Sequence, residues 1–111
     1  MMSDSFRRAF VYVRGVYAGT LEENEAGYSF RYDADYLLKA DNPPVSLTLP
    51  LSEKEYQSKW LFPFFDGLIP EGWLLEVTAN NWKIDPKDRF GILRVACRDA
   101  ISIVSIRGTL E

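Results

Sequence analysis

The sequence contains no histidine and only one cysteine among its 111 residues. Without histidine the chain lacks the commonest general base and the commonest zinc ligand. Every Ser–His or Cys–His nucleophile arrangement is excluded with it. A lone Cys97 forms no internal disulfide and no thiolate cluster, and its apolar helical surroundings read as packing. No stretch approaches the roughly 20 apolar residues of a membrane span, and residues 1–8 hold no apolar run of the signal-peptide kind. The expectation is a cytoplasmic protein without membrane contact. Basic runs are also missing. Arg7 and Arg8 are the only adjacent basic pair, read as a solvated terminus, and the net charge is −3. No direct nucleic-acid partner is expected.

What is present is a chain of ordinary globular composition, 47% hydrophobic, long enough for one domain and one core. The core is expected over residues 10–106, with flexible tails at 1–8 and 108–111. Residues 10–14 and 16–21 are β-branched and aromatic around Arg14-Gly15, which predicts a β-hairpin. Tyr28, Phe30 and Tyr32 alternate with Ser29 and Arg31, a half-buried strand with three aromatics on one face. Asp33 is expected to cap a short helical turn stopped by Asn42-Pro43-Pro44. Residues 45–51 alternate strictly and predict a strand with Val45, Leu47, Leu49 and Leu51 inward; residues 52–59 read as an exposed connection.

From Trp60 the period becomes helical. Leu61, Phe64, Phe65 and Leu68 share a spacing that Pro70 ends. Residues 71–82 restart it, with Leu74, Leu75, Thr78 and Trp82 along one side. Asp85-Pro86 predicts the start of another helix with a buried stripe of Phe90, Leu93, Ala96 and Cys97. Arg98-Asp99 closes that helix, and residues 101–106 form a last apolar strand. The order predicts an α+β fold: a small curved antiparallel β-sheet, partly barrel-like, packed with a C-terminal cluster of helices and a returning final strand.

Candidate chemistry is thin. Asp66-Gly67 after Phe65 has the wrong residue order for a kinase metal motif, and no Gly-rich phosphate loop accompanies it. The acidic run Glu22-Glu23-Asn24-Glu25 reads as a solvated turn, since hard cations need converging oxygens. Glu71 has no second carboxylate or oxyanion donor beside it in sequence. No catalytic residue, cofactor or metal is expected. The informative stretch is residues 62–73, which is rich in aromatics yet broken by Pro63, Pro70, Gly67 and Gly72. Such a segment folds back on itself and leaves aromatic surface at the bend for a partner.

Phe64-Phe65-Asp66-Gly67-Leu68-Ile69-Pro70-Glu71 resembles the Phe-Phe-Asp-(Gly/Asn)-Leu-Leu-Pro-(Glu/Asp) segment in the N-terminal domain of the HipA family of bacterial toxin kinases. Residues 11–21, Tyr28 to Tyr32, Tyr36-Leu37, residues 45–51, Arg89 to Leu93 and Arg98-Asp99 resemble further family blocks in the same order. In the full-length family this domain precedes a kinase body, whereas this chain stops after the strand ending at Ile106. It therefore resembles the stand-alone HipS-type antitoxin of three-gene systems, which also hold a HipT-type kinase and a DNA-binding HipB-type protein. The resemblance implies a protein that binds the kinase and blocks it. Trp73 is expected to be its anchor, helped by Glu71, Gly72, Pro70 and Asp66, with the bend docking near the ATP site. Phe64, Phe65 and Leu68 are expected in the core; Asp66 and Glu71 are expected to meet basic kinase residues or face water. The competing readings are a non-inhibitory assembly or dimerisation module linking kinase and repressor, and a domain excised from a longer kinase.

Overall fold

The computed structural model describes residues 6–96 and 104–109. Among these residues five strands form one sheet: β1 (Arg8–Val13), β2 (Val16–Asn24), β3 (Gly27–Tyr32), β4 (Tyr56–Ser58) and β5 (Val104–Arg107). Their order is β4-β3-β2-β1-β5, with every neighbouring pair antiparallel. The sheet is open, with β4 and β5 as edges, rather than partly closed into a barrel. Arg14 and Gly15, both at positive φ (52° and 81°), make the β1–β2 turn, the pattern of a type I′ hairpin.

The register places Ala9 opposite Leu21, and Val11 opposite both Gly19 and Ile106. These positions share one face with Phe30 and Tyr32 of β3, and that face is the core. Arg31 points away and pairs with Glu55 at 3.1 Å, while Ser29, expected to be equally outward, is buried.

Among the described residues four helices accompany the sheet: α1 (Ala34–Leu38), α2 (Pro63–Asp66), α3 (Gly72–Trp82) and α4 (Arg89–Ala96). Asp33 caps α1 through the Tyr36 backbone N–H. Phe65 of α2 meets Phe30 at 5.6 Å between ring centroids, and Phe90 of α4 meets Tyr28 at 5.6 Å. These two aromatic contacts hold the helical layer to the sheet.

Several expectations need correction. Residues 45–51 form a tight turn instead of a strand, with the Leu49 N–H bonded to the Ser46 carbonyl at 3.0 Å. The buried Tyr32 hydroxyl holds both feet, accepting from the Val45 N–H at 2.9 Å and donating to the Leu49 carbonyl. Burial raises the Tyr32 phenol to about 12. Val45 and Leu49 are therefore buried while Leu47, at the apex, is 94% exposed. Prolines at 43, 44 and 50 deny this segment the donors a strand ladder needs.

The exposed connection expected at 52–59 contains β4, where Tyr56 pairs opposite Phe30. The helix expected from Trp60 is only the four residues of α2, with Pro63 in its first turn. α4 starts at Arg89. The Asp85 carboxylate accepts from the Lys87 N–H, whereas the Asp88 carboxylate accepts from the Gly91 N–H and does the capping. Arg8 lies in β1 and pairs with Glu22 at 3.0 Å, so the basic pair is not a solvated end, nor is Glu22-Glu23 a turn. Cys97, Arg98-Asp99 and residues 101–103 lie outside the described residues.

Candidate docking face on helix α3

Pro70 carries no amide N–H, and Gly72 adopts φ +61°. A side chain at 72 would meet strain there, so this glycine lets the chain turn into α3. Glu71 is extended (φ −121°, ψ 167°) and supplies no side-chain cap. The helix that follows is apolar on both faces. Ala79 is its only buried residue, with Leu75 packed against the core from the same side. At 3.6 residues per turn, Trp73 and Val77 point the other way with Leu74 on their shoulder. These three are 74%, 41% and 49% exposed.

A helix with large apolar side chains on two sides is normally covered on both; this one is covered on one side only. Leu74 and Trp82 were expected on the buried side with Leu75 and Thr78, yet both are exposed large hydrophobics. The warning was in the sequence: α3 has more apolar positions than one buried stripe can hold. All three tryptophans stand out at the surface (Trp60 72%, Trp73 74%, Trp82 58%), whereas Phe30, Phe65 and Phe90 are fully buried.

Asp66 and Glu71, separated by the break, are brought together by Arg89. The Arg89 Nε donates to Asp66 Oδ1 at 2.8 Å, and its Nη2 lies 3.6 Å from Glu71 Oε2. The hydrogen bond to Asp66 holds the guanidinium firmly protonated. A cation in the first turn of α4 opposes the helix dipole, so the two carboxylates offset that placement. The structure thus gathers Asp66, Pro70, Glu71, Gly72 and Trp73 into one bend. Of the two acids, Asp66 faces an internal partner, while Glu71 is 81% exposed despite the contact.

Sequence reasoning missed Arg7. Its guanidinium donates to Glu23 Oε1 at 2.7 Å and to both oxygens of Asp88 at 2.8 and 3.0 Å, and lies over the Phe90 ring at 5.4 Å. The pairing with Arg7 pulls the Asp88 carboxyl below its ordinary value. Gly91 makes room for it, since a Cβ there would sit 2.4 Å from Asp88 Oδ2. This tie anchors the start of α4 to β2, and α3 projects from the corner so fixed.

At its far end α3 finishes on Lys83 in the left-handed region (φ 55°). The Ile84 N–H returns to the Ala79 carbonyl and the Lys83 N–H to that of Asn80, a Schellman motif. The chain then folds beneath the helix, leaving an open groove of about 700 Å³ lined by Glu76, Val77, Asn80, Lys83, Ile84 and Pro86 among others. Among the described residues no group of three or more acids or thiols converges as a metal site. No described helix is long and apolar enough to cross a membrane.

Comparison with known proteins identifies the family of the fold. The family model of the HipA N-terminal domain matches residues 9–107. A solved structure of the N-terminal domain of HipA toxin superposes with a TM-score of 0.69 at 30% identity, covering 95% of this chain and 94% of that one. An uncharacterized protein of Haemophilus influenzae is 37% identical over 92 residues, 83% of each chain.

Proposed function

The chain belongs to the HipA N-terminal domain family, and from that membership we propose that it is the antitoxin that binds and inhibits a HipT/HipA-like serine/threonine toxin kinase. The family relationship makes it a component of HipA-associated toxin–antitoxin systems; the inhibitory role is our reading. The observation that carries it is the bare outer face of α3, where Trp73 is 74% exposed beside Leu74 and Val77. A Trp anchor seated in a partner pocket contributes on the order of 2–4 kcal/mol. The bend at Pro70 docks near the kinase's ATP site, with Glu71 at the rim. Asp66 acts through Arg89, holding the bend in shape. A HipB-like DNA-binding protein completes the complex in the cytoplasm.

Co-expression with the cognate kinase tests the proposal. The wild-type chain restores growth, and Trp73→Ala abolishes rescue while leaving thermal unfolding unchanged. Full rescue by Trp73→Ala removes the anchor. Complex formation without rescue by the wild type replaces inhibition with a purely assembling role.

A further inference from the structure

Where β1, the last turn of α4 and the chain leaving β5 meet, the surface opens into a cavity of about 580 Å³. Arg7, Arg8 and Arg94 line it, and among the described residues Glu22 is the one carboxylate on its wall. A basic residue in the last turn of a helix is ordinary, since it complements the dipole. A dipole does not account for three guanidiniums converging on one cavity from elements 86 residues apart.

The three arginines are engaged differently. Arg7 is satisfied by Glu23 and Asp88, neither of which lines the cavity. Arg8 pairs with Glu22 at 3.0 Å, but these side chains are 63% and 41% exposed, so the pair is weak and exchangeable. Arg94 has no carboxylate partner among the described residues. Its Nε donates to the Arg8 carbonyl at 2.8 Å and its Nη2 to the Gly108 carbonyl at 3.3 Å. These two backbone ties fix the planar group in place, and among the described residues Nη1 has no acceptor. Burial, and then the charge of Arg7, pull the Arg94 guanidinium below its ordinary value, with Glu23 and Asp88 offsetting this only in part. The position is short of negative charge.

We propose that this cavity is a binding site for a phosphate monoester. On its wall the excess is two positive charges, and an incoming oxyanion meets that excess before the two acids behind Arg7. A phosphate monoester brings about 1.5 to 2 negative charges at pH 7 and three acceptor oxygens; a carboxylate brings one charge. Guanidinium forks also match phosphate geometry. Arg94, already held in place, takes the phosphate, and Arg8 exchanges Glu22 for it. Phe6 and Phe10, which also line the cavity, give the organic part of the ester an apolar side. Bound there, the ligand draws β1, α4 and Gly108 together and stabilises the folded chain. A nucleoside monophosphate and a phosphorylated serine of another protein present this same group.

Nuclear magnetic resonance titration of the full chain tests the site, with ionic strength held constant by chloride. The probes are inorganic phosphate, AMP, O-phosphoserine and acetate, and the signals followed are the Arg94 Nε–H and the Gly108 amide. Both signals are expected to shift saturably with the phosphates, with a Kd of about millimolar or below, and acetate to bind at least about tenfold more weakly. Arg94→Gln weakens phosphate binding by about tenfold or more, read at Gly108, and Glu22→Gln strengthens it by about threefold. Circular dichroism checks that each variant is folded; should Arg94→Gln unfold, Glu22→Gln decides alone. Binding of either monoester at these signals sustains the proposal, and the tighter one gives its source. Shifts that never saturate, or that survive Arg94→Gln unchanged, overturn it. So does acetate binding as tightly as phosphate, or exclusion of both monoesters. No kinase enters these titrations, so their failure and a failure of growth rescue are independent results.

Discussion

Helices α3 and α4 follow one another in the chain, separated by residues 83–88, and both are apolar, yet they meet opposite fates. α4 buries four consecutive residues, Phe90 to Leu93, so it is enclosed on most of its circumference. α3 is longer and buries Ala79 alone. Apolar content does not separate them; long-range ties do. α4 is held at its start by Arg7, which is 81 residues away in sequence from Asp88, and by the Phe90–Tyr28 contact. α3 is held at its start through Arg89, at its end through its cap, and otherwise by one stripe. A helix fixed at its ends and bare along one side is preorganised for contact, and preorganisation reduces the cost of binding.

The sharpest way to break this contrast is to truncate one residue from each helix. Leu93→Ala is expected to cost about 2–5 kcal/mol in urea unfolding, because Leu93 is fully buried. Val77→Ala is expected to stay within about 0.5 kcal/mol of wild type. Equal losses would show that α3 is as integral to the core as α4.

Next comes the anchor. Asp88→Asn removes the charge that Arg7 grips and is expected to cost about 1 kcal/mol at neutral pH, the side chain being partly exposed. Because the folded carboxyl is depressed, its contribution is present above the ordinary carboxylate range and is lost as pH falls through the folded value. Thermal unfolding of wild type and variant should therefore converge in acid below that value. A constant gap down to strong acid would contradict the linkage.

A smaller effect of opposite sign is expected where α3 ends. Lys83→Gly relieves the left-handed strain and should stabilise the protein by about 0.5 kcal/mol, the gain being reduced by the entropy of glycine in the unfolded chain. Smallest of all, Trp73→Ala should leave the melting temperature almost unchanged, within about 0.5 kcal/mol. That near-silence in stability, set against a loss of binding, would separate docking residues from folding residues.

Much of the fold was legible locally. The Arg14-Gly15 hairpin, the Tyr28–Tyr32 alternation, the Asp33 cap and the break at Pro70-Glu71-Gly72 each depend on neighbours in sequence. Residues 45–51 were misread because a period of two also describes a turn whose feet are buried. Val45 and Leu49 go in, Leu47 goes out, and only Tyr32 decides between the two. β4 is three residues among charged ones and is defined by its partner strand, not by itself. For the candidate site, the bend and Trp73 could be read from Pro, Gly and aromatic placement. Arg7, Arg89 and the bare side of α3 could not, because each depends on which distant element arrives and which surface no element covers.

The placement of the three tryptophans has a practical consequence. With Trp60, Trp73 and Trp82 all largely in water in the native state, intrinsic fluorescence is a poor reporter of denaturation, since the indoles change their surroundings little when the chain unravels. The same indoles are sensitive to contact: an emission blue-shift on mixing would signal a partner closing over them. Replacing Trp60 and Trp82 with phenylalanine would leave a single built-in optical probe at Trp73, able to distinguish bare protein from covered protein without any label.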